Sequence, residues 1–220
     1  MNASLDTDIV IHLYSSEKKE LFFKSFEELY MHEYLYEEEL KRKSLKTYKA
    51  FSSDVEDGKI SIIKNKDLIE MGIKGLFEGY KRDYQYLFDS GELYSVCLAK
   101  SMGLFAFVSD DTKEFGPHET LVKELIKDVM PFSFYELLFL EFLAGDLTAV
   151  QMHEEFETVT SRSMSKFPMN FKSRMLTTVR RFSSKNGTER DYEWIQDYCR
   201  KKSISYNVKM RELKVYLSTF

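Results

Sequence analysis

Cysteine, proline, glycine and tryptophan are all scarce in this chain: two Cys, three Pro, nine Gly and one Trp in 220 residues. Two cysteines, Cys97 and Cys199, exclude a disulfide framework and a Cys-ligated zinc site. So little Gly and Pro excludes a collagen-like chain and argues against low-complexity disorder. The four histidines (His12, His32, His118 and His153) show no paired metal spacing, and His153-Glu154-Glu155 lacks the second His of a zinc-protease helix. There is no Gly-x-x-x-x-Gly-Lys phosphate loop and no Gly-x-Ser-x-Gly turn. No apolar run approaches the length of a membrane span, and the first residues lack a basic n-region. The expectation is a cytoplasmic protein with no membrane partner.

What the chain does have is apolar mass and unevenly placed charge. Hydrophobic residues make up 43%, with 18 Phe and 14 Tyr, enough for a packed core. The net charge of −4 divides into −7 over residues 1–130, −6 over 131–161 and +9 over 162–220. A basic tail on an acidic body suits nucleic-acid phosphates, neutralisation of the acidic segment beside it, or a solvated helix face.

Hydrophobic periodicity predicts strands alternating with helices up to about residue 132. The strands are Ser4–Tyr14, Leu29–Leu35, Ile60–Ile63, Leu104–Ser109 and Val129–Phe132. The helices cover residues 17–28, Glu37–Ala50, Lys66–Leu87, about 90–102 and Glu119–Lys127. Such alternation implies a parallel α/β sheet. Beyond residue 132 only helices are predicted: Phe134–Leu143, one from Thr148, then 171–182, 189–201 and 205–217. Ser161 to Pro168 is the best candidate joint. The chain is therefore expected to hold an α/β domain over 1–132 and a helical extension over 133–220, basic from about 162.

Acids stand where strands end. Asp6 sits in the first predicted strand, followed by Thr7 and Asp8. Glu37, Glu38 and Glu39 line a helix, Glu92 follows Gly91 at a helix start, and Asp110 and Asp111 close the central apolar strand. Ligands of parallel sheets bind outside the carboxyl ends of strands, so acids distant in sequence can converge there. A buried carboxylate cluster repels itself and calls for a cation. Without His or Cys partners, hard oxygen donors favour Mg²⁺ or Mn²⁺. Each acid also has a plain structural role open to it, as a helix cap, a loop hydrogen bond or a solvated face.

The ordered set resembles the PIN-domain ribonucleases. It comprises Leu5-Asp6-Thr7-Asp8, then Glu39-Leu40, then Asp89-Ser90-Gly91-Glu92 before a run of small residues, then Phe107-Val108-Ser109-Asp110-Asp111. It covers roughly residues 3–132. The resemblance implies a PIN-like parallel sheet flanked by helices and endonucleolytic cleavage of RNA by metal-activated water. It implies Asp6, Glu39, Glu92 and Asp111 as the catalytic acids, with Asp6, Glu92, Asp110 and Asp111 as metal ligands. Thr7 would orient Asp6 or a metal-bound water. Glu92 departs from the Asp of many members, and Glu38 competes with Glu39 for the same role. Small members of the family are often toxins, so an antitoxin or other protein partner and a homodimer come with the resemblance.

The basic extension is not part of the minimal family pattern. It is expected to guide RNA or bind a partner through Arg174, Arg180, Arg181, Arg200, Lys201 and Lys202, with Tyr192, Trp194 and Tyr198 nearby. Two other readings stand beside the nuclease. Asp6-x-Asp8-x-Val10 also resembles the opening of haloacid-dehalogenase-type phosphatases, where the first Asp is a nucleophile. There Lys100 would have to serve as the required Lys, and Glu39 and Gly91-Glu92 would go unexplained. Alternatively, a PIN-like fold with a weakened site could serve as a non-catalytic RNA- or protein-binding module.

Overall fold

A computed structural model describes residues 1–109, 126–162 and 170–220. The expected Asp110–Asp111 strand end, His118, most of the helix expected over Glu119–Lys127 and most of the Ser161–Pro168 joint lie outside the described residues. The chain divides into two compact units, Met1–Phe134 and Tyr135–Phe220.

The first unit is α/β. Five strands, β1 (Asn2–Leu5), β2 (Glu28–His32), β3 (Ser61–Ile63), β4 (Ala106–Val108) and β5 (Met130–Phe132), form one sheet in the order β3-β2-β1-β4-β5. Every pairing is parallel; Ala3 lies beside Leu29 on one side and Ala106 on the other. The chain winds outward from β1 through β2 to β3, then returns to β4 on the other side. That reversal puts a topological switch point between the carboxyl ends of β1 and β4, where a parallel sheet opens a crevice for ligands.

The first element differs from the sequence-based expectation. The run Ile9-Val10-Ile11-His12-Leu13 is not strand but the middle of helix α1 (Thr7–Ser15). These residues are buried on nearly every side, so the run lacks the polar face that marks a helix by periodicity. Asp6 ends β1 as the N-cap of α1, its Oδ1 accepting the Thr7 amide at 2.6 Å. After α2 (Glu20–Ser25) and β2 comes a π-helical segment, π1 (Leu35–Leu40), which runs into the single turn α3 (Lys41–Lys43). Ser44 breaks this run with an extended backbone and caps α4 (Leu45–Glu56). The expected continuous helix Glu37–Ala50 is thus two pieces.

The expected long helix Lys66–Leu87 is also divided, into α5 (Asn65–Glu70) and α6 (Lys74–Tyr84). Gly72 lies between them at φ +72°, a conformation that other residues enter only at a cost. Asp89 caps α7 (Ser90–Met102) by accepting the Glu92 amide at 3.1 Å. Gly103 closes α7 at φ +65°, with the Leu104 amide returning to the Ala99 carbonyl. Phe77, Val96, Leu98, Phe107 and Val129 share one core cluster of this unit.

The second unit is helical: α8 (Phe134–Ala144), α9 (Ala149–Arg162), α10 (Phe171–Arg181), α11 (Glu189–Lys201) and α12 (Tyr206–Leu217). Helix α8 is buried nearly all round, its two acids Glu136 and Glu141 included, and stacks Phe139 against Phe182 at 6.0 Å. Among the described residues no helix is long and apolar enough to cross a membrane.

Candidate active site

The carboxyl end of β1 and that of β4 meet through side chains. Ser109, just past β4, donates its hydroxyl to Asp6 Oδ2 at 2.8 Å. The Asp6 amide in turn donates to the Val108 carbonyl at 3.0 Å. Asp6 is therefore fixed at both oxygens, one by Thr7 and one by Ser109, at the switch point of the sheet.

The other acids arrive on helices. Of the three consecutive glutamates, Glu37 and Glu38 are exposed and Glu39 is buried, with 5% of its surface accessible. The π-helical turn has a wider period than an α-helix, and such turns concentrate at functional sites. Helix α7 brings Asp89 and the buried Glu92 at its first turn. Gly91 lies between them. A Cβ placed on Gly91 would stand 2.5 Å from Asp6 Oδ1, 3.3 Å from Glu39 Oε1 and 3.5 Å from Asp89 Oδ1. Three carboxylates from three elements thus converge on one point, and only glycine leaves that point open.

Lys43 enters the same cluster. Its ammonium lies 2.6 Å from Glu39 Oε1 and 2.7 Å from Asp8 Oδ1. Burial alone would lower the Lys43 pKa, yet its bonds to Asp8 and Glu39 raise it above the ordinary lysine range. The second Glu39 oxygen, Oε2, is buried and has no hydrogen-bond partner among the described residues. The same holds for the Thr7 hydroxyl. Burial, then the nearby Asp8, push the Asp6 carboxyl up to about 8, with Asp89 and Glu39 adding to the rise against the Ser109 bond. Asp6 therefore holds its proton more tightly than an ordinary carboxyl, and a cation beside it would favour the charged form.

The donor chemistry fits a hard divalent ion, because carboxylate oxygens with one buried, unsatisfied lone-pair site are what Mg²⁺ or Mn²⁺ takes. Among the described residues, however, no three His, Cys, Asp or Glu side chains form a ready-made ligand cluster. Asp6 Oδ1 is turned to the Thr7 amide and Glu39 Oε1 to Lys43. Asp6 and Glu39 could hold the ion, with Asp89 beside them, after small side-chain rotations.

Four contributors were not named as site residues from the sequence, although Asp89, Gly91 and Ser109 lie within the motifs quoted for the resemblance. Asp89 lies three residues before Glu92, the spacing of a helix-cap pair. Lys43 lies four residues after Glu39, the spacing of a helical ion pair. Ser109 and Gly91 carry no signal of their own in a single sequence.

The predicted basic residues lie in the second unit and do not share one environment. Arg181 is buried, 2.7 Å from both Glu136 and Asp191. It is a structural cation that satisfies two buried acids, not a surface contact for phosphate, and this corrects the expectation. Arg174 lies over the Tyr135 ring. Arg200 and Lys201 both pair with Asp197, which their bonds hold below the usual carboxylate range. Arg180 is exposed, and Lys202 is exposed over the Tyr198 ring. Trp194 packs between Phe182 and Tyr198 rather than presenting an open stacking face. Tyr192 lines a cavity of about 450 Å³ with Phe182, Cys199 and Tyr206. Both cysteines are buried and free, and burial pushes their thiols up, to about 12 for Cys97 and about 11 for Cys199. At neutral pH they are protonated.

No family model, curated protein or solved structure matches this chain.

Proposed function

We propose that the chain is a divalent-metal-dependent endoribonuclease of PIN-like type. The observation that carries this reading is the convergence of Asp6, Glu39 and Asp89 oxygens within 3.5 Å of one point beside Gly91, at the switch point of a parallel sheet. The excess of buried negative charge, seen in the raised Asp6 carboxyl, favours a cation among these oxygens. Bound Mg²⁺ or Mn²⁺ would supply an activated water and stabilise charge on the phosphoryl oxygens. Asp6 and Glu39 would hold the ion. Ser109 and the Thr7 amide would hold Asp6 in place, and the Thr7 hydroxyl is available for a water or substrate oxygen. Glu92 and Asp111 belong to the same reading through the resemblance, Asp111 lying outside the described residues.

One observation favours a second reading. Lys43 already neutralises part of the cluster without a metal, as a non-catalytic RNA- or protein-binding module would allow. The phosphatase reading gains nothing comparable, since it gives Glu39 and Asp89 no task.

The test is incubation of the full chain with a pool of single-stranded and structured RNA, with Mn²⁺, with Mg²⁺ and with EDTA. Metal-dependent internal cleavage that disappears in Asp6→Asn supports the nuclease. RNA binding without cleavage, equal in wild type and Asp6→Asn, supports the module.

A further inference from the structure

We infer that Tyr34 is the platform on which one base of the RNA strand stacks, beside the acidic site, and that Lys81 takes a phosphate of that strand. The inference deepens the reading above and rests on its RNA substrate, not on the metal.

Its basis is a column of rings that runs from the core to the surface at the carboxyl end of β2. Phe77, in the core cluster, lies parallel to His32 with centroids 5.0 Å apart. The Tyr94 ring tilts against His32 at 4.9 Å, and Tyr34 stacks on Tyr94 at 4.3 Å and 19°. His32 is buried, whereas Tyr94 and Tyr34 are half-buried. Among the described residues Tyr94 is the one ring packed on Tyr34, so the column ends there. A flat ring with open surface at the end of a stack is what a nucleobase extends.

Both tyrosines are tied to the acidic cluster by their place in the chain. Tyr94 stands three residues after Gly91, on the same side of α7. Tyr34 precedes π1 with a helical backbone and stands five residues before Glu39, about one π-helical turn. The platform is also pre-set. The Tyr34 amide donates to His32 Nδ1 at 3.1 Å. Burial holds the His32 pKa down, at about 4, so this nitrogen is still an acceptor at neutral pH. A ring already held in place loses little freedom when it binds.

Charge favours a nucleic-acid strand as the occupant. Proteins that hold single strands combine stacking rings with cations along the backbone. Lys81 Nζ donates to the Tyr94 hydroxyl at 2.8 Å and lies 4.5 Å from the centre of that ring. Glu78 is farther from it, at 3.9 Å. A partly exposed ammonium thus stands at the stack, where a phosphate next to the stacked base would meet it.

The test uses the full chain carrying Asp6→Asn, to keep the strand uncut, with Mg²⁺ and a short single-stranded RNA. The RNA carries 2-aminopurine at one position after another, and its fluorescence falls when that base stacks. One position should be quenched well beyond the others. Tyr34→Leu should abolish that quench and weaken binding about tenfold, and Tyr34→Phe should keep both. Tyr34→Trp, with a larger ring, should bind at least as tightly. Lys81→Met should lower the slope of log affinity against log salt by about 0.7, the share of one phosphate on a single strand. Equal quenching and affinity in Tyr34→Leu overturn the inference. So does weaker, unquenched binding by Tyr34→Trp or Tyr34→Phe, whether or not Tyr34→Leu folds. An unchanged salt slope in Lys81→Met removes the phosphate contact. Failure of the RNA to bind at all overturns the inference together with the RNA reading. Quenching that depends on Tyr34, without metal-dependent cleavage by wild type, supports the inference and removes the nuclease.

Discussion

Replacing Gly91 with Ala separates the site from the fold. In helix α7 the change should help folding, since Ala is favoured over Gly by about 1 kcal/mol. In the cluster it adds a carbon 2.5 Å from Asp6 Oδ1, where ordinary contact begins at 3.4 Å. The Asp6 carboxylate must retreat by about 1 Å, straining its bond to the Thr7 amide or to Ser109. Loss of one such bond costs about 1 kcal/mol, so net stability should stay within about 1 kcal/mol of wild type. Displacing a positioned group by about 1 Å costs about 100-fold in rate. Cleavage of a labelled single-stranded RNA at saturating Mn²⁺ should therefore fall by about that factor, while urea unfolding barely moves. Gly79→Ala is the control: it lies in helix α6 with open space around it, and should gain up to about 1 kcal/mol with unchanged cleavage. Wild-type cleavage by Gly91→Ala would refute the reasoning. A loss of stability beyond about 3 kcal/mol would make the close approach a matter of core packing instead.

Two further predictions concern stability. His32 is buried between the Phe77 and Tyr94 rings, and burial, helped by Lys74 and Lys81 against Glu33 and Glu78, lowers its pKa from 6.5 to about 4. Between these values the unfolded chain binds the proton and the folded chain does not. This contribution is complete above pH 6.5 and is lost as pH falls towards 4, by about 2–3 kcal/mol. Denaturant titrations from pH 7 to 4 should show His32→Gln less acid-sensitive than wild type by that amount; parallel curves would contradict the assignment. In the second unit, Arg181→Met should cost about 3–5 kcal/mol, because the buried Glu136 loses this cation and the buried Asp191 keeps only Arg190, on its other oxygen. Arg200→Met should leave stability nearly unchanged, its partner Asp197 being on the surface; equal effects would show that Arg181 is not the structural cation of the unit.

Much of the α/β order was legible because β2, β3 and β5 are short, apolar and punctuated, and because the later helices have clear polar faces. Helix α1 was misread for a physical reason. A helix buried on all sides and rich in Ile and Val has the composition of a buried strand, and periodicity cannot distinguish the two. Helix α5 was merged with α6 because Gly72 carries the same letter whether it packs inside a helix or turns the chain at positive φ. Asp6 stood out in the sequence because a carboxylate next to an apolar run needs a reason. Glu39 could not be separated from Glu38 until the π-helical turn set the phase of the helix face. Lys43 was hidden in a basic triplet that reads as solvated surface. Arg181 misled for the opposite reason: its helix is amphipathic and basic, and nothing local shows that Glu136 and Asp191 come to meet it.

The most direct measurement is single-turnover cleavage of a 5′-labelled single-stranded RNA with Mn²⁺ by wild type, Glu39→Gln and Asp89→Asn. Asn caps a helix as well as Asp does, so Asp89→Asn keeps α7 while removing a charge from the cluster. The account predicts metal-dependent cleavage by wild type and a fall of about 100-fold or more in both folded variants. Cleavage at the wild-type rate in either variant, or none by the folded, metal-supplied wild type, would contradict a shared acidic site that cuts RNA.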